Sequence, residues 1–304
     1  MPWACAIAAV VIWGATYSST RSLLGDFSAL EIMVIRFVLA WVALIGLGWR
    51  NVGLVRFRHE VLFAVMGLLG VVICQLFENA AIYYTNASNV ALFMSFGPVV
   101  TVLLSRIFLH DRFLSCGAVL GCFISIVGAV MMNGSDGEGF LFRPLGDVLA
   151  IGSMLGWGVY SVLLDKVDRL GYSQIVIVRK TFFWAIVILL ILCTWGITDS
   201  GYCSFDGSFS VTLDRDANLE RFSSLTNWMN LCFLGIFASS VSFVLWNVAC
   251  KGNGIARSSV ILYLTPIVGV AFAALFLGER LSPMSVCGGI LIIGGLVIAN
   301  RRRK

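Results

Sequence analysis

The chain has 304 residues, of which 59% are hydrophobic and 12% are charged, and its formal net charge is +5. So few charged groups cannot cover the surface of a water-soluble globule, and the composition therefore excludes that class of protein. The positive charge does not indicate nucleic-acid binding. Four of the positive residues form the tail 301–304, where the excess of basic residues on the cytoplasmic side of membrane proteins explains them.

Ten apolar runs have the length of about 20 residues that a helix needs to cross a bilayer core. We therefore predict an all-α integral membrane protein with ten transmembrane helices. The first run is interpreted as a retained span and not as a signal peptide, because no basic flank precedes it. The runs are 3–20, 31–49, 61–84, 88–108, 113–132, 146–164, 174–196, 226–249, 255–278 and 283–300.

The sequence repeats itself. Pro98 and Pro266 are 168 residues apart, and each is followed after the same interval by an acid-arginine pair, Asp111-Arg112 in the first copy and Glu279-Arg280 in the second. Nearer the start of each half, Trp-Gly recurs at an offset of 144 and an arginine recurs at 143. The change of offset indicates an insertion at about 197–225. The predicted domains are two five-helix repeats, 1–135 and 146–304.

Five spans per half is an odd number, so the second half enters the membrane with the opposite polarity. The two halves then form an inverted repeat, an arrangement typical of transporters. Thirteen basic residues fall on the side of the amino terminus and five on the other side. This distribution predicts that both termini are in the cytoplasm and places the acidic insertion outside. The membrane is expected to be the cell (inner) membrane. A tolerated loop is favoured over a lid for that insertion.

Enzymatic and metal chemistry find little support in the sequence. The two histidines, His59 and His110, are not in a metal-ligand spacing, and no phosphate-binding glycine loop is present. We therefore expect no catalytic residues, no cofactor, no metal and no direct use of ATP. The glycine pairs Gly117–Gly121 and Gly152–Gly156 have the spacing of close helix packing.

The two five-helix halves, each with Trp-Gly in its first span, arginine in its second and proline followed by an acid-arginine pair at the fourth, resemble the drug/metabolite transporter superfamily, EamA branch. The resemblance covers nearly the whole chain except the outer insertion. It implies a ten-helix secondary carrier that works by alternating access and usually exports amino acids or other small metabolites. The long outer loop and Asp111, where the second copy has Glu279, depart from an idealised repeat.

Substrate is expected near mid-membrane between the repeats, among polar, aromatic and proline-broken segments. Pro98 and Pro266 lie near the middle of their spans, where each removes a backbone hydrogen bond; simple kinks for packing are the alternative. Interior packing or an interfacial belt is the alternative for the aromatic residues. The candidate substrate-binding residues are Trp13, Tyr17, Glu78, Asn79, Ser95, Pro98, Trp157, Tyr160, Trp246, Asn247, Tyr263 and Pro266.

Glu78 is an acid inside an apolar span, which is costly unless the acid is paired or functional. It is interpreted either as a protonatable coupling or substrate-binding group, or as half of a structural ion pair with Arg36. Arg36 and its repeat partner Arg179 are favoured as structural anchors. The pairs Asp111-Arg112 and Glu279-Arg280 are expected to fasten helix ends or to take part in gating.

The predicted function is export of an amino acid or related metabolite across the bilayer, with a proton or a counter-substrate as a second partner. One alternative is uptake or exchange of nucleotide-linked or phosphorylated metabolites, which cavity-facing Arg36, Arg179 and Lys180 would favour. Another is a non-transporting membrane scaffold. The sequence leaves open whether the protein is a monomer or a homodimer.

Overall fold

The computed structural model describes residues 1–48, 53–85, 87–111, 113, 115–133, 143–200, 219–276 and 282–300. Over these residues the chain is helical and has no strand. The α-helices are α1 (Pro2–Leu23), α2 (Ala29–Leu47), α3 (Phe57–Met66), α4 (Cys74–Tyr84), α5 (Ala87–Met94), α6 (Gly97–Phe108), α7 (Cys116–Asn133), α8 (Pro144–Asp168), α9 (Gln174–Ser200), α10 (Leu225–Cys232), α11 (Ser242–Asn253), α12 (Ile255–Ile261), α13 (Leu264–Phe276) and α14 (Pro283–Asn300).

Within the described part of the chain, nine helical segments are long and apolar enough to cross a membrane. This makes the chain an integral membrane protein. The predicted run 113–132 corresponds to α7, which has 18 residues but a shorter fully described apolar portion, Cys116–Met132. A crossing by α7 stays a prediction. Most of the insertion, residues 201–218, lies outside the described residues, and a 3₁₀ turn at Leu219–Phe222 leads into α10.

Two of the spans widen into a π-helix. The segment Gly67–Ile73 joins α3 to α4, and the segment Phe233–Val241 joins α10 to α11. Gly67 and Gly235 differ by 168 residues, the offset that separates the two prolines of the repeat. A Cβ on Gly67 would lie 2.7 Å from the carbonyl oxygen of Thr181, and one on Gly235 would lie 2.5 Å from Leu39 Cβ. Both glycines therefore allow a π-helix to approach a neighbouring helix.

Two other spans are broken. The chain turns at Ser95-Phe96 between α5 and α6, and at Leu262-Tyr263 between α12 and α13. The prolines expected near mid-span follow these turns, so that Pro98 is the second residue of α6 and Pro266 is the third of α13. A proline fits the first turn of a helix because its missing N–H would have no partner there.

The two halves of the chain exchange partners. Helix α1 packs against α11 and α13, whereas α8 packs against α4 and α6. Helix α2 packs against the second π-helix, and α9 packs against the first. The largest core cluster accordingly draws residues from both halves, including Phe37, Phe63, Tyr160 and Trp246. The interior is therefore shared between the halves, and a cleft between them would be lined by both.

Helices α7 and α14 form a separate tight pair. A Cβ on Gly121 would lie 2.4 Å from the carbonyl oxygen of Gly295, and one on Gly128 would lie 2.5 Å from that of Gly288. The backbones can meet this closely only because neither helix carries a side chain at these points. Gly121 belongs to the predicted packing pair, whereas Gly288 and Gly295 were not singled out from the sequence.

Candidate functional site

Five aromatic side chains meet where α1, α8 and α11 come together, and we call them the aromatic cluster: Trp13, Trp157, Tyr160, Phe243 and Trp246. The ring centroid of Trp13 lies 5.7 Å from that of Trp157 and 5.4 Å from that of Trp246. Trp157 stacks on Tyr160 at 5.2 Å. Four of these residues were predicted to bind substrate, and Phe243 was not. The structure thus brings together predicted site residues from both halves of the chain.

The Trp-Gly motifs position this cluster through their glycines. A Cβ on Gly14 would lie 2.6 Å from Val268 Cβ in α13, and one on Gly158 would lie 2.7 Å from Leu104 Cδ1 in α6. Each glycine therefore lies directly against a broken span. Successive helical residues are rotated by about 100° around the axis, so the tryptophan before each glycine points to a different neighbour. That neighbour is the aromatic cluster in both halves.

Two polar atoms of the cluster are hydrogen-bonded. The indole Nε1 of Trp13 donates to the carbonyl oxygen of Ala238 at 3.0 Å, within the second π-helix. The hydroxyl of Tyr160 donates to Asn247 Oδ1 at 3.2 Å, between two side chains that are almost fully buried. The π-helix thus contributes a backbone acceptor to the site, and π-helical segments are frequent at functional sites.

Three N–H groups at the cluster have no hydrogen-bond acceptor among the described residues: Trp157 Nε1, Trp246 Nε1 and Asn247 Nδ2. The side chain of Trp246 is 0% exposed and that of Asn247 is 1% exposed. An unsatisfied buried donor costs about 1–3 kcal/mol. Three of them close together are therefore unusual in a protein interior that only serves packing. Each of these groups can donate a hydrogen bond to an acceptor such as a carboxylate or carbonyl oxygen, and indole faces attract cations.

Glu78 and Asn79 lie half-buried in α4. Arg36 interacts electrostatically with Glu78, but its Nε donates to Ser239 Oγ at 2.9 Å. Between the described residues, no contact within 4.0 Å joins the charged groups of Arg36 and Glu78. Tyr17 lies in α1, and its side chain is outside the part of the structure that is described.

The proline-associated residues lie away from the ring contacts of the aromatic cluster. Ser95 Oγ donates to the carbonyl oxygen of Ala91 at 2.7 Å, within its own helix. Tyr263 is 2% exposed and packs in a second core cluster, where its hydroxyl has no partner among the described residues. Pro98 is buried and Pro266 is half-buried. These four residues line the breaks in the spans and make no ring contact with the tryptophans.

Of the predicted structural or gating residues, Arg179 and Asp111 make contacts that fasten the backbone. Arg179 is 1% exposed and donates to the carbonyl oxygen of Gly48, after α2. Asp111 accepts from the backbone N–H of Phe113 at 2.9 Å and from Ser105 Oγ at 3.4 Å, at the end of α6. The remaining predicted members, Arg112, Glu279 and Arg280, lie outside the described residues.

Sequence reasoning missed one buried ionic cluster. Glu60 in α3 pairs with Lys180 in α9 at 2.6 Å, and the two side chains are 6% and 3% exposed. The second carboxylate oxygen of Glu60 accepts from Trp184 Nε1 at 2.7 Å, while Lys180 also donates to the carbonyl oxygen of Gly53 at 2.6 Å. Glu60 is the fourth residue of α3, immediately before the predicted run 61–84, and Lys180 is the seventh residue of α9. These two charges were the available signals.

Comparison with known proteins gives a consistent result. The profile of the "EamA-like transporter family" matches residues 2–134 and again residues 144–301. A solved crystal structure superimposes with a TM-score of 0.77 at 21% identity, over 98% of this chain and 97% of that one, and so has the same fold.

Three relatives show the range of similar proteins. A "Probable terminal-alkyne amino-acid exporter" of Streptantibioticus cattleyicolor is 25% identical and covers 99% of this chain and 93% of its own. A "Probable amino-acid metabolite efflux pump" of Salmonella typhimurium is 22% identical over 96% and 92% of the two chains. An "Uncharacterized transporter" of Archaeoglobus fulgidus is 23% identical over 99% of each. The family and these names indicate a transporter and not an enzyme, and this chain belongs to the EamA-like transporter family.

Proposed function

We propose that the protein is a secondary exporter of an amino acid or a closely related metabolite, bound at the aromatic cluster and released by alternating access. The observation that carries this proposal is the group of three buried N–H donors at Trp157, Trp246 and Asn247 without acceptors among the described residues. The names of two relatives, an amino-acid exporter and an amino-acid metabolite efflux pump, support the same substrate class.

The chemistry of an amino acid suits this arrangement. Its carboxylate accepts hydrogen bonds from the two indole N–H groups and the Asn247 amide, which gives those donors the partners that they lack. Its ammonium group is attracted by the faces of the indole rings, an interaction worth about 0.5–2 kcal/mol depending on desolvation. Both ends of the zwitterion are therefore recognised without a charged protein side chain.

The architecture that we propose is ten transmembrane helices in two inverted repeats, with both termini in the cytoplasm. Three observations support the two-repeat arrangement. The family profile matches the chain twice. The π-helical glycines Gly67 and Gly235 follow the same offset as Pro98 and Pro266. The helices also exchange partners between halves in equivalent pairs. Such symmetry allows one set of helices to rock against the other around a central site.

Energetic coupling is assigned to Glu78, as a carboxyl group that takes up and releases a proton during transport. Its position in α4, half-buried and within electrostatic range of Arg36, supports this role. An acid inside a membrane span is costly to keep and is usually paired or functional. The Nε of Arg36 donates to Ser239, and among the described residues Arg36 and Glu78 form no close ion pair. The Glu78 carboxylate therefore remains available to bind a proton.

The alternative of a carrier for phosphorylated or nucleotide-linked compounds requires free cations in the cavity. Of the three that it would use, Lys180 is neutralised by Glu60, Arg179 donates to the carbonyl oxygen of Gly48 and Arg36 Nε donates to Ser239. This pattern favours a zwitterionic substrate over a phosphorylated one.

Thermal-shift titration of the purified protein tests the assignment. Ligands that bind the folded state raise the melting temperature by an amount that grows with the logarithm of their concentration relative to Kd. We expect stabilisation by one or more amino acids or amino-acid derivatives. Stabilisation by sugar phosphates or nucleotide sugars alone would establish the alternative carrier class, and no response to any compound of either class would contradict a metabolite site.

A further inference from the structure

A cavity of about 580 Å³ opens between α3 and α9, away from the aromatic cluster, and we call it the α3–α9 groove. Its walls are formed mainly by aliphatic and aromatic side chains, with Glu60 and Trp184 as the polar members of its described lining. Leu54 is 74% exposed, Phe57 is 81% exposed and Val61 is 44% exposed. The groove is therefore a feature of the outer surface of the membrane-spanning helices, where the surrounding medium is lipid.

The polar groups in the groove are already satisfied. One carboxylate oxygen of Glu60 accepts from Lys180 Nζ and from the backbone N–H of Val55, at 2.6 and 2.7 Å. The other accepts the indole N–H of Trp184. Because no lining donor or acceptor among these is left without a partner, a hydrocarbon chain can fill the groove without burying an unpaired polar group.

One end of the groove is basic. Arg56 lies between the lining residues Val55 and Phe57 and forms the amino-terminal boundary of α3, and Arg58 follows Phe57. Both arginines are exposed, and neither guanidinium donates to a described residue. Arg58 precedes Val61 by about one helical turn, so it lies at the same end of the groove as Arg56. Basic clusters at the end of a membrane span attract anionic headgroups.

We propose that the α3–α9 groove binds one anionic phospholipid, with an acyl chain against Phe57, Val61, Ala64 and Leu68 and the phosphate between Arg56 and Arg58. The apolar walls, and the two cations at one end that have no partner among the described residues, match the two parts of such a lipid. Because Glu60 and Lys180 join the two halves of the chain beneath this groove, the bound lipid covers and stabilises an interface between the halves.

Native mass spectrometry of the full chain, stripped of lipid and titrated with phosphatidylglycerol or phosphatidylcholine of identical acyl chains, tests this site. The wild-type protein should retain one phosphatidylglycerol several-fold more tightly than phosphatidylcholine. Equal retention of the two lipids would overturn the proposal.

Two matched pairs of variants test the headgroup contact and the acyl-chain contact separately. Arg56→Gln with Arg58→Gln should remove the preference for phosphatidylglycerol, whereas Arg169→Gln, an exposed arginine paired with Asp165, should keep it. Val61→Trp should weaken retention of both lipids, whereas Val119→Trp, at an exposed position on α7, should leave it unchanged. A preference that survives the double arginine change, or tight retention by Val61→Trp, would show that lipid binds elsewhere.

Discussion

Tyr160 donates its hydroxyl to Asn247 Oδ1 over 3.2 Å, and this bond determines which end of the buried amide is available to a ligand. The oxygen is occupied, so the Nδ2 group is the end without a partner among the described residues. The neighbouring residue, Trp246, also presents a free N–H. The tyrosine therefore turns an amide that could donate or accept into a dedicated donor.

Tyr160→Phe removes this constraint while keeping the ring that stacks on Trp157. A hydrogen bond of this kind contributes about 0.5–1.5 kcal/mol net, so substrate affinity should fall by up to about tenfold. Thermal-shift titration of the variant measures the change. Tyr172→Phe is the matched control, since its hydroxyl bonds with His59 Nδ1 outside the cluster. Equal affinity in wild-type protein and Tyr160→Phe would contradict the role of Asn247 as an oriented donor.

Gly295→Ala should destabilise the α7–α14 pair, while Gly294→Ala should not. A Cβ on Gly295 would lie 2.3 Å from Ser125 Oγ and 2.5 Å from the carbonyl oxygen of Gly121, whereas nothing lies within 4 Å of one on Gly294. Overpacking of this kind typically costs about 1–3 kcal/mol. Melting temperatures of the two variants in detergent make the comparison. If both variants melt at the same temperature as the wild-type protein, α7 and α14 do not approach each other closely at Gly295.

Lys180→Met should be strongly destabilising, because it leaves the Glu60 carboxylate buried without its counter-charge. Losing one partner of a buried pair typically costs about 3–5 kcal/mol, whereas removing both is much less harmful. The double variant Glu60→Gln with Lys180→Met should therefore recover much of the lost stability. Lys251→Met is the control, since its pair with Asp168 is 54% and 19% exposed and such pairs contribute about 0–1 kcal/mol.

Thermal melting of the four proteins distinguishes these cases. If Lys180→Met and Lys251→Met melt alike, the Glu60–Lys180 pair is not a buried support of the interface between the halves.

Glu78→Gln should abolish the response of transport to an imposed pH gradient, because an amide cannot take up and release a proton. Substrate exchange in the absence of a gradient should persist, since exchange needs no net proton movement. Uptake into proteoliposomes with and without the gradient measures both. A variant that still responds fully to the gradient would remove Glu78 from the coupling mechanism.

The sequence predicted the helices well because a bilayer imposes one length and one composition on every span. The duplication of Trp-Gly also led us to expect Trp13 and Trp157 in one site; the structure places their rings 5.7 Å apart, and their role in binding stays a prediction. Both inferences rest on constraints that act along the chain. Span length, composition and repeated motifs can be recognised from a single sequence.

Other features depend on contacts that are remote in the chain. The π-helix at Gly67–Ile73 has the apolar sequence of an ordinary span, and nothing in that segment distinguished it from an α-helix. Glu60 was overlooked because its partner, Lys180, is 120 residues away in the chain. A single sequence does not show that two such distant residues are in contact. Pro98 was correctly associated with a broken span, but its place in the first turn of α6 required the backbone itself.

Counterflow of a labelled amino acid in proteoliposomes, using a substrate identified by thermal shift, tests the central claim most directly. Trp157→Phe with Trp246→Phe keeps two aromatic rings but removes two of the three free N–H donors. We predict that the wild-type protein and Trp228→Phe, whose indole bonds to the Phe222 carbonyl, exchange the substrate while the double variant, confirmed to be folded by its cooperative melting, does not. Exchange by the double variant at the wild-type rate would contradict a substrate site at the aromatic cluster.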